Sequence, residues 1–223
     1  MPLIHYVFLA LFVLVSAFHL YDSWRDDPRR RYTKPFLLIL LTLFYCFAAK
    51  KIDWVLVAAL GTSWLGDVLL IPKGTKWFVS GGISFLVSHI LFIFVYLPHI
   101  VWGNVIWWIV IPAALVYFGI SVKVTLSVKQ NIEKMMLVPM ILYLVANSTM
   151  NLFALMLLTS TKSAGAAVAY IGAVFFFISD CTLYLVRYHD NKELIFRKHF
   201  TVMLTYLLGE ALITIGMLMI ERA

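Results

Sequence analysis

The sequence predicts an all-α membrane protein: a bundle of about eight transmembrane helices with a suggested 4+4 parallel repeat, forming one domain over residues 1–223. Two observations carry this. The chain is 63% hydrophobic and only 13% charged, with mean hydropathy +0.93; soluble domains carry about 45–50% apolar and about 25% charged residues. Its apolar residues also gather into runs near the ~20 residues that a helix needs to cross the hydrocarbon core.

Charged residues or Pro and Gly punctuate those runs. The first, Ile4–Tyr21, lacks a basic n-region and a small-residue cleavage site after it, so it reads as a retained span and not a signal peptide. The second, Pro35–Ala49, is the shortest. Trp54–Ile71, Phe78–Leu97, Asn104–Val122, Met135–Leu158, Ala164–Arg187 and Phe200–Ile220 complete the set. Trp102, Trp107 and Trp108 fit an interfacial belt.

Loop charges predict the orientation. Lys and Arg concentrate in Trp24–Lys34, at Lys73 and Lys76, at Lys123, Lys129 and Lys134, and at Arg187, Lys192, Arg197 and Lys198. The alternate loops hold only Lys50, Lys51, Lys162 and the terminal Arg222. The positive-inside rule then places both termini outside and the basic loops in the cytoplasm. The net charge of +7 reads as attraction to anionic headgroups, not to nucleic acid. Cys46 and Cys181 lie within apolar runs and form no CxxC motif, so they behave as small hydrophobes. Compactness and short loops suit a bacterial inner membrane.

Two intramembrane carboxylates carry the functional signal. Asp67 lies in WVLVAALGTSWLGDVLLI and Asp180 in AAVAYIGAVFFFISDCTLYLV. A charge at the helix centre costs at least about 2.5–3.5 kcal/mol, so such a residue normally faces protein or a wet cavity. Ser63, Ala59 and Gly66 accompany Asp67, and Phe176, Ala173, Ala169 and Ala166 share a face with Asp180. Small residues of this kind permit close helix contact. Counting 1.5 Å per residue from the cytoplasmic ends places Asp67 roughly 8 Å deep, Asp180 roughly 10 Å, His89 and Glu210 about 15 Å, and Asn147 slightly deeper. All five would share one layer. The parallel repeat would match Asp67 with Asp180 and His89 with Glu210.

Ser63, Ser88, Asn147, His89, Tyr206 and Glu210 are the supporting polar candidates, with Glu210 either a third acidic group or a carboxylic acid kept neutral by burial. A zinc site would need three or four ligands, yet His5, His19, His99, His189 and His199 fall near helix ends or in loops, so no metal and no other cofactor is expected. GxSxG, HExxH, P-loop and Rossmann patterns are absent.

The blocks TKPFLLILL, SWLGDVLLIP, GGISFLVSHILF, GAVFFFISDCTL and TYLLGEALI, in this order and spacing, resemble the lysoplasmalogenase family of YhhN-like membrane proteins along nearly the whole chain. The resemblance implies eight helices and hydrolysis of the vinyl ether bond of a lysoplasmalogen, releasing a fatty aldehyde and glycerophosphoethanolamine or glycerophosphocholine. It implies Asp67 and Asp180 as the catalytic pair. Phe92 stands where relatives often carry Tyr, and Glu210 where Gln is expected. A lysophospholipid would enter from the bilayer with its phosphate near Lys34, Lys73 or Lys76. The alternative is a proton-coupled transporter of a lipid or small solute, with Asp67, Asp180 and Glu210 as the proton relay.

Overall fold

A computed structural model describes residues 3–222. Among them are eight α-helices and no strand: α1 Ile4–Trp24, α2 Arg30–Ala48, α3 Trp54–Leu69, α4 Thr75–Tyr96, α5 Trp107–Val128, α6 Lys134–Thr161, α7 Ala164–Tyr188 and α8 His199–Arg222. Seven are long and apolar enough to cross a membrane; α3, with 16 residues, is the short one. The chain is an integral membrane protein.

The helix order follows the sequence reading, but several ends move. The second span starts at Arg30, not at Pro35, because a proline within the first turns forfeits few helical hydrogen bonds; Pro112 and Pro139 lie similarly early in α5 and α6. The connection before α5 is longer than expected, with 3₁₀ turns at Leu97–His99 and Trp102–Asn104, and α5 runs on to Val128. Gly74, at φ 125°, makes the turn into α4. Asp53 caps α3 by accepting a 2.8 Å hydrogen bond from the Val55 N–H, which satisfies one of the orphan donors of its first turn.

Successive helices pack as hairpins, α1 on α2, α3 on α4 and α7 on α8, while α4, α6, α7 and α8 form the buried interior and α1 and α5 lie at the periphery. The α7–α8 contact is backbone against backbone. A Cβ on Gly172 would stand 2.6 Å from the Ile213 nitrogen, and one on Gly216 would stand 2.5 Å from the Ala169 nitrogen. Lipid gives little hydrophobic drive to helix pairing, so close approach through small residues is the main source of packing energy. The α3–α4 seam is polar: the Ser63 and Ser88 hydroxyls pair at 2.6 Å, and Ser84 donates to the Thr62 carbonyl at 2.7 Å. At the opposite end Arg222 donates to the Ala48 carbonyl at 2.7 Å, tying the end of α8 to α2.

Candidate active site

The two intramembrane aspartates are buried, Asp67 at 2% exposure and Asp180 at 4%, and each is held by two other helices. Asp67, on α3, lies 3.2 Å from the Lys34 ammonium of α2 and accepts a 2.8 Å hydrogen bond from the Tyr206 hydroxyl of α8. Asp180, on α7, accepts a 2.7 Å hydrogen bond from the Asn147 amide of α6 and lies 3.1 Å from His89 Nε2 of α4. The His89 contact is close but not aligned as a hydrogen bond. Asn151 donates to the side-chain and backbone oxygens of Asn147, both at 3.0 Å, orienting the amide toward Asp180.

These two clusters repeat one pattern. α2, α3 and α8 supply one, and α6, α7 and α4 supply the other, which is the four-helix offset of the expected parallel repeat. The same sequence offset separates Lys34 from Asn147 and Asp67 from Asp180. Tyr206 of α8, one turn before Glu210, contacts Asp67 as His89 of α4 contacts Asp180.

Glu210 sits between the clusters. It is fully buried, lies beside Ser63 and is within electrostatic reach of both Asp67 and Asp180. Among the described residues neither of its carboxyl oxygens finds a hydrogen-bond partner, and the nearby Tyr96 hydroxyl is likewise unpartnered. Aromatic rings fill the space between His89 and Tyr206. Phe176 packs with its centroid 4.8 Å from His89 and 5.5 Å from Tyr206, and Phe85 meets Tyr206 at 5.7 Å.

Several expectations change here. Lys34 lies within α2, which starts at Arg30, and pairs with Asp67. Ser63 and Ser88 bond to each other and not to an aspartate. The distances from the helix ends also change. Asp67 lies only two residues from the C-terminal end of α3, about 3 Å, whereas His89 and Asn147 lie roughly 20 Å from the N-terminal ends of their helices yet touch Asp180. Counting from ends misleads because the ends are not coplanar; α4 and α6 reach beyond α3. Tyr143 and Tyr184 flank Asp180; four-residue spacing from Asn147 and Asp180 places them on the same helix faces.

The His89 ring has a defined tautomer. Its Nδ1 is 2.7 Å from the Phe85 carbonyl oxygen, and a carbonyl only accepts, so Nδ1 carries hydrogen. Nε2 is then the ring nitrogen that faces Asp180, at 3.1 Å. Among the described residues no group of three His, Cys, Asp or Glu side chains is arranged to hold a metal ion.

A family model described as the YhhN family matches residues 29–217, most of the chain. No curated protein and no solved structure matches.

Proposed function

Because the chain belongs to the YhhN family, the lysoplasmalogenase family, we propose that it hydrolyses the vinyl ether bond of lysoplasmalogens. The products are a fatty aldehyde and glycerophosphoethanolamine or glycerophosphocholine. The observation that carries this reading is the pair of buried carboxyls, Asp67 and Asp180, one beside an ammonium and the other beside an imidazole.

Vinyl ether hydrolysis begins with slow protonation of the β-carbon. The Asp180–His89 pair supplies that proton; the alkene π electrons form the new C–H bond and positive charge develops as an oxocarbenium ion. Asp67, paired with Lys34, is the second carboxyl: its negative charge stabilises the cation, and it receives the proton of the water that attacks the former vinyl carbon. The resulting hemiacetal collapses, the glycerol oxygen leaving with a proton as the aldehyde forms. Carboxyl pairs serve a related cation in glycoside hydrolysis. Asn147 and Asn151 hold Asp180, and Tyr206 holds Asp67.

The test is aldehyde release from lysoplasmenylethanolamine by the purified protein in detergent. Asp180→Asn and Asp67→Asn should each lower the rate at least ~100-fold, the usual contribution of a general acid or base, while thermal unfolding remains cooperative. Absence of aldehyde from folded wild type refutes the enzyme reading. In that event, proton-coupled uptake into proteoliposomes would favour the transporter.

A further inference from the structure

A groove runs between α4 and α6 beside the Asp180 cluster. Its volume is about 210 Å³ and its lining is almost wholly apolar, with Phe78, Gly82 and Ile83 of α4 facing Met136, Met140 and Tyr143 of α6. Tyr184 and Tyr188 of α7 form its floor. Three features distinguish it from an ordinary gap between lipid-facing helices.

Its inner wall is the wall of the candidate active site. Tyr143 lies edge-on to His89 with centroids 5.1 Å apart and to Tyr184 with centroids 5.7 Å apart, and both tyrosines flank Asp180. Its mouth carries a cation. The Arg187 guanidinium stacks 3.9 Å from the centroid of Phe78, and its Nε donates to the Tyr188 hydroxyl at 3.1 Å. Arg187 is exposed yet fixed between two residues that line the groove. Its flank is open to lipid, since Ile83 is 54% and Leu142 55% exposed.

We propose that this groove binds a single-chain phospholipid, with Arg187 on the phosphate, the glycerol backbone along Tyr184 and Tyr143, and the hydrocarbon tail leaving between Ile83 and Leu142 into the bilayer. The inference rests on the lysoplasmalogenase reading for the identity of the reacting bond, but the groove is a lipid site in its own right. The spacing suits it. Arg187 and Asp180 lie seven residues apart on α7, about 10 Å, and a guanidinium offers the forked donors that phosphate oxygens accept. A phosphate held at the mouth therefore brings the first atoms of an sn-1 ether chain to the level of Asp180. The narrow, apolar, one-sided channel accommodates one chain better than two.

Gly82 provides the test. A Cβ there meets nothing within 4 Å, so Gly82→Phe fills the groove without displacing a helix and removes a glycine from a helix interior. The probe is a saturated 1-alkyl-glycerophosphoethanolamine carrying a diazirine in its chain, which lacks the vinyl ether and so reports binding without turnover. Photolabelling of the purified wild type should map to α4 and α6, fall about tenfold or more in Gly82→Phe and in Arg187→Gln, and resist competition by a two-chain phosphatidylethanolamine. In the aldehyde assay the same variants should raise KM and leave kcat nearly unchanged. Labelling spread evenly over lipid-facing helices, labelling unaffected by Gly82→Phe, or equal competition by the two-chain lipid would overturn the proposal. Specific groove labelling without any aldehyde release would instead sink the hydrolase reading and leave the groove standing.

Discussion

Replacing Lys34 with Met removes the cation 3.2 Å from Asp67 and leaves a 2% exposed carboxyl with the Tyr206 hydroxyl as its remaining partner. Breaking a buried ion pair by deleting one member costs about 3–5 kcal/mol, whereas an interhelical hydrogen bond in a membrane is worth about 0.6–2 kcal/mol. For a chain of this length each kcal/mol moves the unfolding midpoint by about 2–4 °C. Lys34→Met should therefore lower Tm by roughly 6–20 °C. Asp67→Asn should cost less, because the Lys34 side chain is already 16% exposed and can carry its ammonium outward along its flexible stem. The double variant Lys34→Met/Asp67→Asn leaves no buried charge and should recover stability relative to Lys34→Met alone. Thermal unfolding in one detergent, read as a double-mutant cycle, measures all three. A Lys34→Met midpoint within about 2 °C of wild type, or a double variant equal to the sum of the singles, would refute the ion-pair assignment.

Tyr206→Phe removes one interhelical hydrogen bond to Asp67 and should cost about 0.6–2 kcal/mol in the same unfolding assay. Gly216→Leu forces α7 and α8 apart and should destabilise by at least about 1–3 kcal/mol; Gly119→Leu, whose Cβ would meet nothing within 4 Å, should be neutral or stabilising. In the α1–α2 loop the hydrogen bond from Arg30 holds Asp26 below the ordinary carboxylate value. A depressed value contributes stability above the unfolded value, about 3.9, and that contribution disappears as pH falls through the folded value. The stability difference between wild type and Asp26→Asn should thus be level from pH 5 to 7 and shrink in more acid solution, a small effect because the pair is mostly exposed.

The residues that were legible in the sequence share one property: they are expensive where they stand. Asp67, Asp180, His89, Asn147 and Glu210 announce themselves because polar groups inside an apolar run require a reason. Lys34 does not. In one dimension it is another basic residue of the first loop, and Pro35 after it looks like a helix start; only the extension of α2 back to Arg30 rotates it inward. Tyr143 and Tyr184 were hidden for the opposite cause, since aromatic residues are ordinary in membrane helices and only contact shows that they wall a site. The small residues preceding Asp180 foretold a close helix partner, but its identity as α8 depended on Gly209 and Gly216 meeting them in register. Depth was the least legible quantity, because the common plane of the bilayer is absent from a count along separate helices.

The brevity of α3 has a consequence for water. At 1.5 Å per residue its 16 residues extend about 24 Å, short of a hydrocarbon core about 30 Å thick. A short span is accommodated by local thinning of the bilayer, and Asp67 lies at the end of that span. A bilayer thinned over α3 would bring the headgroup layer toward Asp67, which does not line the α4–α6 groove. A hydrolase working on a lipid needs one reactant that is soluble in oil and one that is not. On the proposed lipid-hydrolase reading, such thinning over α3 would admit the second without flooding the route of the first.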